Sequence, residues 1–266
     1  MPYLRGFLRA TFMAAYETAR LLLSMKGIVH GFFMRQGGVS LGPYASLNCS
    51  LKVGDEQVDV EENRRRCLQA MGLSDARLFV PSLVHGDGVL VLKDDSSQSG
   101  VMECDGDAVI TSSRKLALGI TYADCLPILL SSRDGHWIAA VHAGWRGVAK
   151  NIVRKTVSQM RALCYPSEIV AAIGPSISLK GFAVSGEVRE YFCGAWPQFV
   201  GEKEKNVCVD LTGIAGQQLL DAGVMHAEKV GGYTDINPER YFSHRRSIGQ
   251  AGRHIAIISR AASFFS

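Results

Sequence analysis

Two apolar segments separated by a short polar turn form the centre of the 266-residue chain. Residues 120–130 and 137–141 are mostly apolar, a pattern typical of strands that are buried on both faces. The turn between them, residues 131–136, contains Asp134-Gly135, a dipeptide that favours β-hairpins. We therefore predict two buried strands joined by a hairpin, with Cys125 inside the first strand and His142 directly after the second.

Directly after His142 the hydrophobic pattern changes from that of a strand to that of a helix. A glycine-containing turn, residues 143–147, is followed by apolar residues at helical spacing, with basic residues off that stripe. The apolar positions are Val148, Ile152, Val153, Val157 and Met160, and the basic positions are Lys150, Arg154 and Lys155. A strand, a glycine-rich turn and a helix start in succession are a common anion-binding arrangement.

The remaining pattern predicts short strands interspersed with helices. Strands are predicted at residues 28–34, 78–83, 89–92, 108–111, 169–173 and 255–259, and helices at residues 59–72, 185–192 and 209–222. No repeat and no linker divides the chain, which favours a single domain of α/β type. The globular pattern begins close to residue 28. Residues 1–27 are therefore predicted to be an N-terminal extension, and residues 28–266 the domain.

Composition narrows the functional classes. The net charge of +4 is mild and no dense basic stripe occurs, so we expect no nucleic-acid partner. Seven Cys without a CxxC pair, and no evident export signal, favour reduced thiols in the cytoplasm. No apolar run reaches the roughly 18 residues that a transmembrane helix requires, so we expect no membrane partner.

Three residues of metal-ligand type share one context, since His85, Cys125 and His142 each lie in or near an apolar strand. Zinc takes Cys sulfur and His nitrogen, and a catalytic zinc site keeps three protein ligands plus water. Their spacing matches no zinc motif, so a buried Cys with two hydrogen-bonded His fits equally well. Cys125 and His142 could also form a nucleophile–base pair for acyl transfer. The residues alone leave these alternatives open.

Other polar residues in glycine-rich loops are candidates for substrate binding. Arg35 and Arg146 lie beside loop glycines, where a guanidinium can hold a phosphate in a bidentate manner. We predict that these two arginines face one pocket, and that Asn48 binds a polar part of the substrate. Arg35 and Asn48 are also assigned to catalysis. Solvated loop charges are the alternative for both arginines, and Asp87 could orient His85 or simply form a turn.

The motifs that carry these residues, taken in order, resemble one protein family. They are GFFMRQGGVSLGPYASLN at 31–48, VHG at 84–86, ADCLP at 123–127, VHAGWRG at 141–147, AIGP at 172–175 and FSHRR at 242–246. The chain is similar, across residues 28–259, to the bacterial laccase-domain proteins, the polyphenol oxidase or purine nucleoside phosphorylase family. ADCxP together with HAGWRG is the most specific part of this resemblance.

The resemblance implies an α+β fold, a single layered domain of mixed β-sheets flanked by helices, similar to the catalytic domain of cytotoxic necrotizing toxins. It implies Zn²⁺ held by His85, Cys125 and His142, with Cu²⁺ as an alternative ion. It also implies phosphorolysis of adenosine, inosine, guanosine or methylthioadenosine, and deamination of adenosine. The expected partners are a purine nucleoside and phosphate, and the chain is expected to be a monomer or a homodimer.

Three other functions remain as alternatives. A copper-dependent polyphenol oxidase (laccase) needs several coppers and a dense His set, whereas this chain has seven His and no HxH pair. A Cys-His hydrolase or amidase acting on peptidoglycan precursors would use Cys125 as its nucleophile, which bound zinc disfavours. The third alternative is a binding module without catalysis. Deamination also needs a proton shuttle, which is left unassigned. Asp124 is a poor candidate unless the strand bulges there, because neighbouring strand residues point to opposite faces.

Relatives usually carry glutamine where Leu83 stands, and often Cys where Ser176 stands. They also usually carry a Cys-Thr pair before the motif at 242–246, where residues 232–234 read Gly-Tyr-Thr. None of these departures touches the three predicted ligands. They therefore bear on substrate preference more than on metal binding.

Overall fold

The computed structural model describes residues 13–92 and 104–260 of the chain. Strands in these residues are β1 (Tyr16–Glu17), β2 (Ile28–Phe33), β3 (Arg77–Phe79), β4 (Val89–Leu92), β5 (Ala108–Thr111), β6 (Leu116–Tyr122), β7 (Leu126–Ser132), β8 (Ile138–Ala143), β9 (Ile169–Ile173), β10 (Ala183–Val184), β11 (Val200–Lys203), β12 (Asn206–Val209), β13 (His226–Lys229) and β14 (His254–Arg260). The α-helices are α1 (Arg20–Leu23), α2 (Gln57–Ala70), α3 (Trp145–Ala149), α4 (Ile152–Cys164), α5 (Gly186–Ala195) and α6 (Leu211–Asp221). Short 3-10 helices occur at Gly42–Tyr44, Leu179–Gly181 and Pro197–Phe199.

The strands form two large sheets and one small sheet. The five-stranded sheet has the order β1-β2-β14-β6-β3, the six-stranded sheet the order β13-β9-β7-β8-β5-β4, and the three-stranded sheet the order β10-β12-β11. Both large sheets are mixed: β3–β6, β4–β5 and β13–β9 are parallel pairs, while β14–β6 and β7–β8 are antiparallel. The predicted α+β fold with mixed sheets and flanking helices is confirmed.

The two large sheets pack face to face between layers of helices. In β7, Ile128 and Leu130 belong to a core shared with α4 and α6, whereas Leu129 faces a core shared with Leu118 and Ile258 of the five-stranded sheet. The outer face of that sheet packs against α2. A strand that is buried on both faces needs apolar side chains at almost every position, which explains why the central segment is so hydrophobic.

The predicted hairpin is confirmed, but the strand predicted at residues 120–130 is wrong as a single element. It is two strands in two different sheets, because β6 ends at Tyr122 and β7 begins at Leu126. Asp124 lies in the break with a φ of 87°, a backbone conformation that few residues other than glycine adopt. The residues on both sides of the break are mostly apolar, so the hydrophobic pattern does not show where one strand ends and the next begins.

Other predicted elements differ from the structure at their boundaries. The helix after residue 147 is interrupted at Asn151, whose φ is 62°, and α3 before it has only five residues. A helix this short provides little of the dipole expected at an anion-binding helix start. The strand predicted at 78–83 ends at Phe79, and the helix predicted at 209–222 begins at Leu211 because Val209 belongs to β12.

The segment before residue 28 contributes to the described fold. β1 pairs with β2 through Tyr16 and Glu17, and Ala19 and Leu22 are fully buried. The predicted division of the chain at residue 28 stays a prediction, and residues 1–12 lie outside the described part. None of the helices in residues 13–92 and 104–260 combines the length and apolar content needed to cross a bilayer.

Candidate functional site

The three predicted metal ligands converge at the point where the chain passes between the two large sheets. Cys125 lies between β6 and β7, His142 lies in β8, and His85 lies in the loop after β3. One potential ligand atom from each residue lies within 4.8 Å of the other two. The His85 and His142 rings stand nearly perpendicular, with centroids 5.0 Å apart. The fold therefore assembles residues whose separations in the sequence match no linear motif.

Asp124, directly before Cys125, anchors a loop. Its carboxylate accepts hydrogen bonds from Thr234 Oγ1 at 2.6 Å, from Ser243 Oγ at 3.1 Å and from the backbone N–H of Arg245 at 2.6 Å. These contacts fix an uncommon backbone conformation and tie residues 243–245 to the strand end that carries Cys125. With three donors already on this buried carboxylate, the proton shuttle stays unassigned.

Gly144 lies against all three candidate ligands. A Cβ atom at this position would lie 3.2 Å from Cys125 Sγ, 3.5 Å from a carbon of His85 and 3.6 Å from a carbon of His142. The first of these distances is tighter than an ordinary van der Waals contact. The glycine in the turn after His142 therefore leaves the space that the ligand group occupies.

Asp107 is the most important site residue that the sequence did not reveal. Its Oδ1 lies 2.9 Å from His142 Nδ1, and its oxygens accept the backbone N–H groups of Val84, His85 and Gly86. The carboxylate therefore holds one candidate ligand by its ring and another by its loop. In the sequence Asp107 stands in a Cys-Asp-Gly-Asp turn before β5, where an aspartate is typical of turns and carries no other signal.

Cys125 and His142 strongly influence each other's ionisation. Burial alone would raise the pKa of Cys125, but the charge of His142 and hydrogen bonds from His142 and His85 outweigh it and lower that pKa to about 6. Burial alone would lower the pKa of His142, but Cys125 and Asp107 together raise it to about 9. The site therefore favours a thiolate beside an imidazolium when no metal ion is bound.

The residues fit a bound metal ion. Two imidazoles and a thiol are ligands that zinc and copper both accept. Asp107 on Nδ1 of His142 leaves Nε2 as the ligand atom, the arrangement in which metal-binding histidines are usually held. No other cluster of His, Cys, Asp and Glu side chains within residues 13–92 and 104–260 has a comparable geometry.

The predicted substrate-binding residues differ in how much of their hydrogen-bonding capacity is occupied. Arg35 donates to the carbonyl oxygens of Ala45 and Pro238 and lies over the Phe242 ring, 4.7 Å from its centroid. Arg146 is exposed, lies over its neighbour Trp145 at 4.3 Å, and has no hydrogen-bond partner among the described residues. Arg146 can therefore donate hydrogen bonds to a ligand, whereas the guanidinium of Arg35 already donates to the backbone of two loops.

Asn48 is fully buried and bonded entirely within the protein. Its side-chain amide donates to Ser50 O and Asp55 Oδ2, and its oxygen accepts the N–H groups of Ser50 and Arg253. Its predicted role in catalysis and substrate binding stays a prediction. The contacts themselves place Asn48 as an anchor for the start of β14.

The suggestion that Asp87 orients His85 is wrong. The Asp87 carboxylate forms an ion pair with Lys155 on α4, and Asp107 binds the loop of His85 instead. The exposed ion pair lowers the pKa of Asp87, first through the hydrogen bond from Lys155. Asp87 is thus a surface residue that links the loop to a helix.

Comparison with known proteins places the chain in a family. The sequence model of the family described as multi-copper polyphenol oxidoreductase laccase matches residues 29–261. The chain belongs to this laccase family. It is 38% identical over 226 residues to a purine nucleoside phosphorylase of Xylella fastidiosa, covering 80% of this chain and 85% of that protein. It is 36% identical over 228 residues to the purine nucleoside phosphorylase YfiH of Escherichia coli, covering 83% and 89%.

A solved structure resembles the fold closely. The crystal structure of YlmD from Geobacillus stearothermophilus superposes with a TM-score of 0.80 at 32% sequence identity. The match covers 89% of this chain and 93% of YlmD. The layered architecture is therefore shared over nearly the whole length of both chains.

Proposed function

We propose that the chain is a zinc-dependent purine nucleoside phosphorylase that also deaminates adenosine. The observation that carries the proposal is the His85–Cys125–His142 group, whose ligand atoms lie within 4.8 Å of one another in a chain whose relatives are named purine nucleoside phosphorylases. The proposed substrates are adenosine, inosine, guanosine and methylthioadenosine, with phosphate as the second substrate. The expected location is the cytoplasm.

Zinc is the proposed ion because one thiolate and two neutral imidazoles match its usual donors. When bound by three protein ligands, zinc supplies a Lewis acid that can lower the pKa of water to about 7. Asp107 prepares the site, because its contact with Nδ1 fixes the tautomer in which His142 presents Nε2. The low pKa of Cys125, about 6, keeps the sulfur in the thiolate form that a metal ion requires.

Each proposed reaction places a defined demand on the protein. In phosphorolysis the bond between the base and C1′ of the ribose breaks, a phosphate oxygen bonds to C1′, and the base leaves with a proton. In deamination water replaces the amino group at C6 of adenine and ammonia leaves. Phosphorolysis needs a cation that holds the phosphate, and deamination needs an activated water. The guanidinium of Arg146 is exposed and has no hydrogen-bond partner among the described residues, so it is suited to the first task.

The presence of a single group of three candidate ligands among the described residues favours this proposal over a laccase activity. Multicopper oxidation needs several coppers close together, and the described residues offer one group of three ligands. Copper bound in that group could support weak oxidation. The test is to incubate zinc-loaded and copper-loaded protein with adenosine or inosine, with and without phosphate, and to separate the products chromatographically. Release of base only with phosphate supports the phosphorylase, and phenol oxidation without nucleoside turnover would contradict it.

A Cys-His hydrolase is the second candidate, because one observation favours it specifically. Cys125, His142 and Asp107 stand in the order nucleophile, base and orienting acid, the arrangement used by cysteine hydrolases. The two proposals respond oppositely to two treatments. A chelator should inactivate the phosphorylase and spare the hydrolase, whereas the hydrolase should cleave an amide or ester substrate in metal-free form and lose that activity on thiol alkylation.

A further inference from the structure

Arg253 lies at the strand end that carries Cys125. β14 is antiparallel to β6 and its first residue, His254, pairs with Tyr122, so the next position along the ladder places Arg253 beside Ala123. Ala123 also packs against Phe242 and Ala251, on both sides of the loop that leads to Arg253. The charge of Arg253 interacts with that of Cys125, two residues beyond Ala123.

His244 is held at the same strand end. Ser243 and Arg245, its two neighbours in the chain, both donate hydrogen bonds to the carboxylate of Asp124. His244 itself is exposed, and its charge interacts with that of His85. Partial desolvation of the ring, followed by the charge of the neighbouring Arg253, lowers the pKa of His244 from its ordinary value, so its ring is neutral at neutral pH.

A hydrogen bond joins Arg253 to His244 and leaves other N–H groups of both side chains without a partner among the described residues. Arg253 Nη1 donates to the carbonyl oxygens of Ala251 and Gly252, and Nη2 donates to His244 Nδ1 at 3.1 Å. Because a guanidinium only donates, Nδ1 accepts, and the ring proton of neutral His244 resides on Nε2. The Nε–H and one Nη2–H of Arg253 have no partner among the described residues. Three N–H groups on two adjacent side chains therefore remain available.

The backbone of Arg253 is fixed from both directions. Its N–H donates to Asn48 Oδ1 at 2.9 Å and its carbonyl accepts from the N–H of Cys49 at 2.9 Å. Asn48 is in turn held by Ser50 and Asp55. A cation that is already positioned loses little freedom when it binds an anion, so this network favours binding.

The carboxylates of Asp124 and Asp107 already accept hydrogen bonds from protein donors. Asp124 accepts three hydrogen bonds, and Asp107 is bonded to His142 and to three backbone N–H groups. Arg245 adds a further positive charge nearby. The donors of Arg253 and His244 that have no partner among the described residues are therefore suited to an anionic group with several acceptor oxygens.

We propose that Arg253 and His244 form an oxyanion subsite that binds inorganic phosphate beside the His85–Cys125–His142 group. The inference rests on the proposed function, because it supplies the binding site for the second substrate of phosphorolysis. Arg253 provides the charge and two donors of a planar fork, and His244 provides a third donor through Nε2. Asn48 is then a positioning residue, which accounts for its complete burial.

The kinetic test compares Arg253→Met with Arg154→Met, both loaded to equal zinc content. Arg154 is a surface arginine paired with Asp221 on the helical layer, so the control removes the same charge far from the subsite. Arg253→Met should raise the KM for phosphate by about ten- to a hundredfold and leave the KM for inosine within about twofold. His244→Phe should raise the phosphate KM by a smaller factor. Arg154→Met should change neither constant, and an unchanged phosphate KM in Arg253→Met overturns the subsite.

A binding measurement separates this inference from the proposed function. Titration of zinc-loaded protein with inorganic phosphate, followed by calorimetry or by the phosphorus-31 line width, requires no turnover. If wild type binds phosphate, Arg253→Met does not, and no variant releases base from inosine, then the subsite stands and the phosphorylase proposal fails. If wild type binds no phosphate, the subsite is wrong. Should Arg253→Met fail to fold, Arg253→Lys keeps the charge without the planar fork of donors. If Arg253→Lys and His244→Phe both bind phosphate as tightly as wild type, the proposal is wrong.

Discussion

Asp107 Oδ1 lies 2.9 Å from His142 Nδ1, and both side chains are buried. The same carboxylate accepts the backbone N–H of His85, so a single side chain positions two of the three candidate ligands. It also orients the histidine that stands beside the Cys125 thiolate. The proposed metal binding and the alternative hydrolase activity therefore both depend on Asp107.

Replacing Asp107 should weaken metal binding without a change in any ligand. Asp107→Ala removes the acceptor that fixes His142 Nδ1, and loss of such a contact typically costs about 10–100-fold in metal affinity. It also leaves the N–H on the buried Nδ1 of His142 unpaired, at a cost of about 1–3 kcal/mol of stability. Zinc affinity is measured by competition with a chromogenic chelator. Asp87→Ala, at the exposed ion pair with Lys155, should retain wild-type affinity, and equal affinities in the two variants would contradict the role of Asp107.

A methyl group at residue 144 should disturb the ligand group directly. In Gly144→Ala the new Cβ would lie 3.2 Å from Cys125 Sγ, so the sulfur or the turn must shift. We expect weaker zinc binding with a preserved fold, measured by chelator competition and circular dichroism. Gly216→Ala is the matched control, because a Cβ at Gly216 in α6 meets nothing within 4 Å. That control should bind zinc normally and gain about 0.5–1 kcal/mol in stability.

The sequence predicted most elements because their hydrophobic patterns are local. Strands β4, β5 and β9 and the β7–β8 hairpin lie where short apolar runs and turn residues indicate them. The passage from β6 to β7 was not predicted, because both strands are buried on both faces and mostly apolar, and Asp124 between them was not interpreted as a break. The three-stranded sheet was also missed, since its strands have at most four residues each.

The candidate ligands could be named because the motifs that carry them resemble a family in which the matching His, Cys and His bind zinc. The residue types alone left metal binding as one of several alternatives. The residues around them could not be named, since Asp107, His244 and Arg253 belong to residue types that are frequent in turns and on surfaces. Their roles depend on contacts between separate parts of the chain, such as Asp107 with His142, 35 residues apart, and Arg253 with Asn48, 205 residues apart. Register between distant strands, which places Arg253 beside Ala123, is not visible in a local pattern.

Arg35 and Arg146 were predicted to share one role, and their contacts now predict opposite responses to the same substitution. Arg35→Met removes hydrogen bonds to Ala45 and Pro238 and the contact with Phe242, so it should destabilise the fold by roughly 2–4 kcal/mol. Arg146→Met removes an exposed side chain, so stability should change by less than about 0.5 kcal/mol. Urea unfolding measures both.

Arg146→Met should still affect catalysis if its guanidinium holds substrate. We expect a higher KM for phosphate or nucleoside with unchanged stability. A variant with wild-type values of both constants would leave Arg146 without a role in binding. Equal destabilisation by Arg35→Met and Arg146→Met would show that the contacts of Arg35 do not stabilise the loops.

His30 should make the fold sensitive to mild acid. It is buried, its Nε2 accepts the N–H of Ala19 at 2.8 Å, and burial lowers its pKa from 6.5 to about 4, although Glu228 acts in the opposite direction. The unfolded chain therefore binds a proton more readily than the folded chain below pH 6.5, and stability falls as the pH decreases from 6.5 towards 4. The expected loss from His30 is about 2 kcal/mol between pH 7 and pH 5. His30→Gln keeps an acceptor for Ala19 and does not titrate, so urea unfolding at the two pH values should show a loss smaller by that amount. The same pH dependence in both proteins would mean that His30 is not the titrating group.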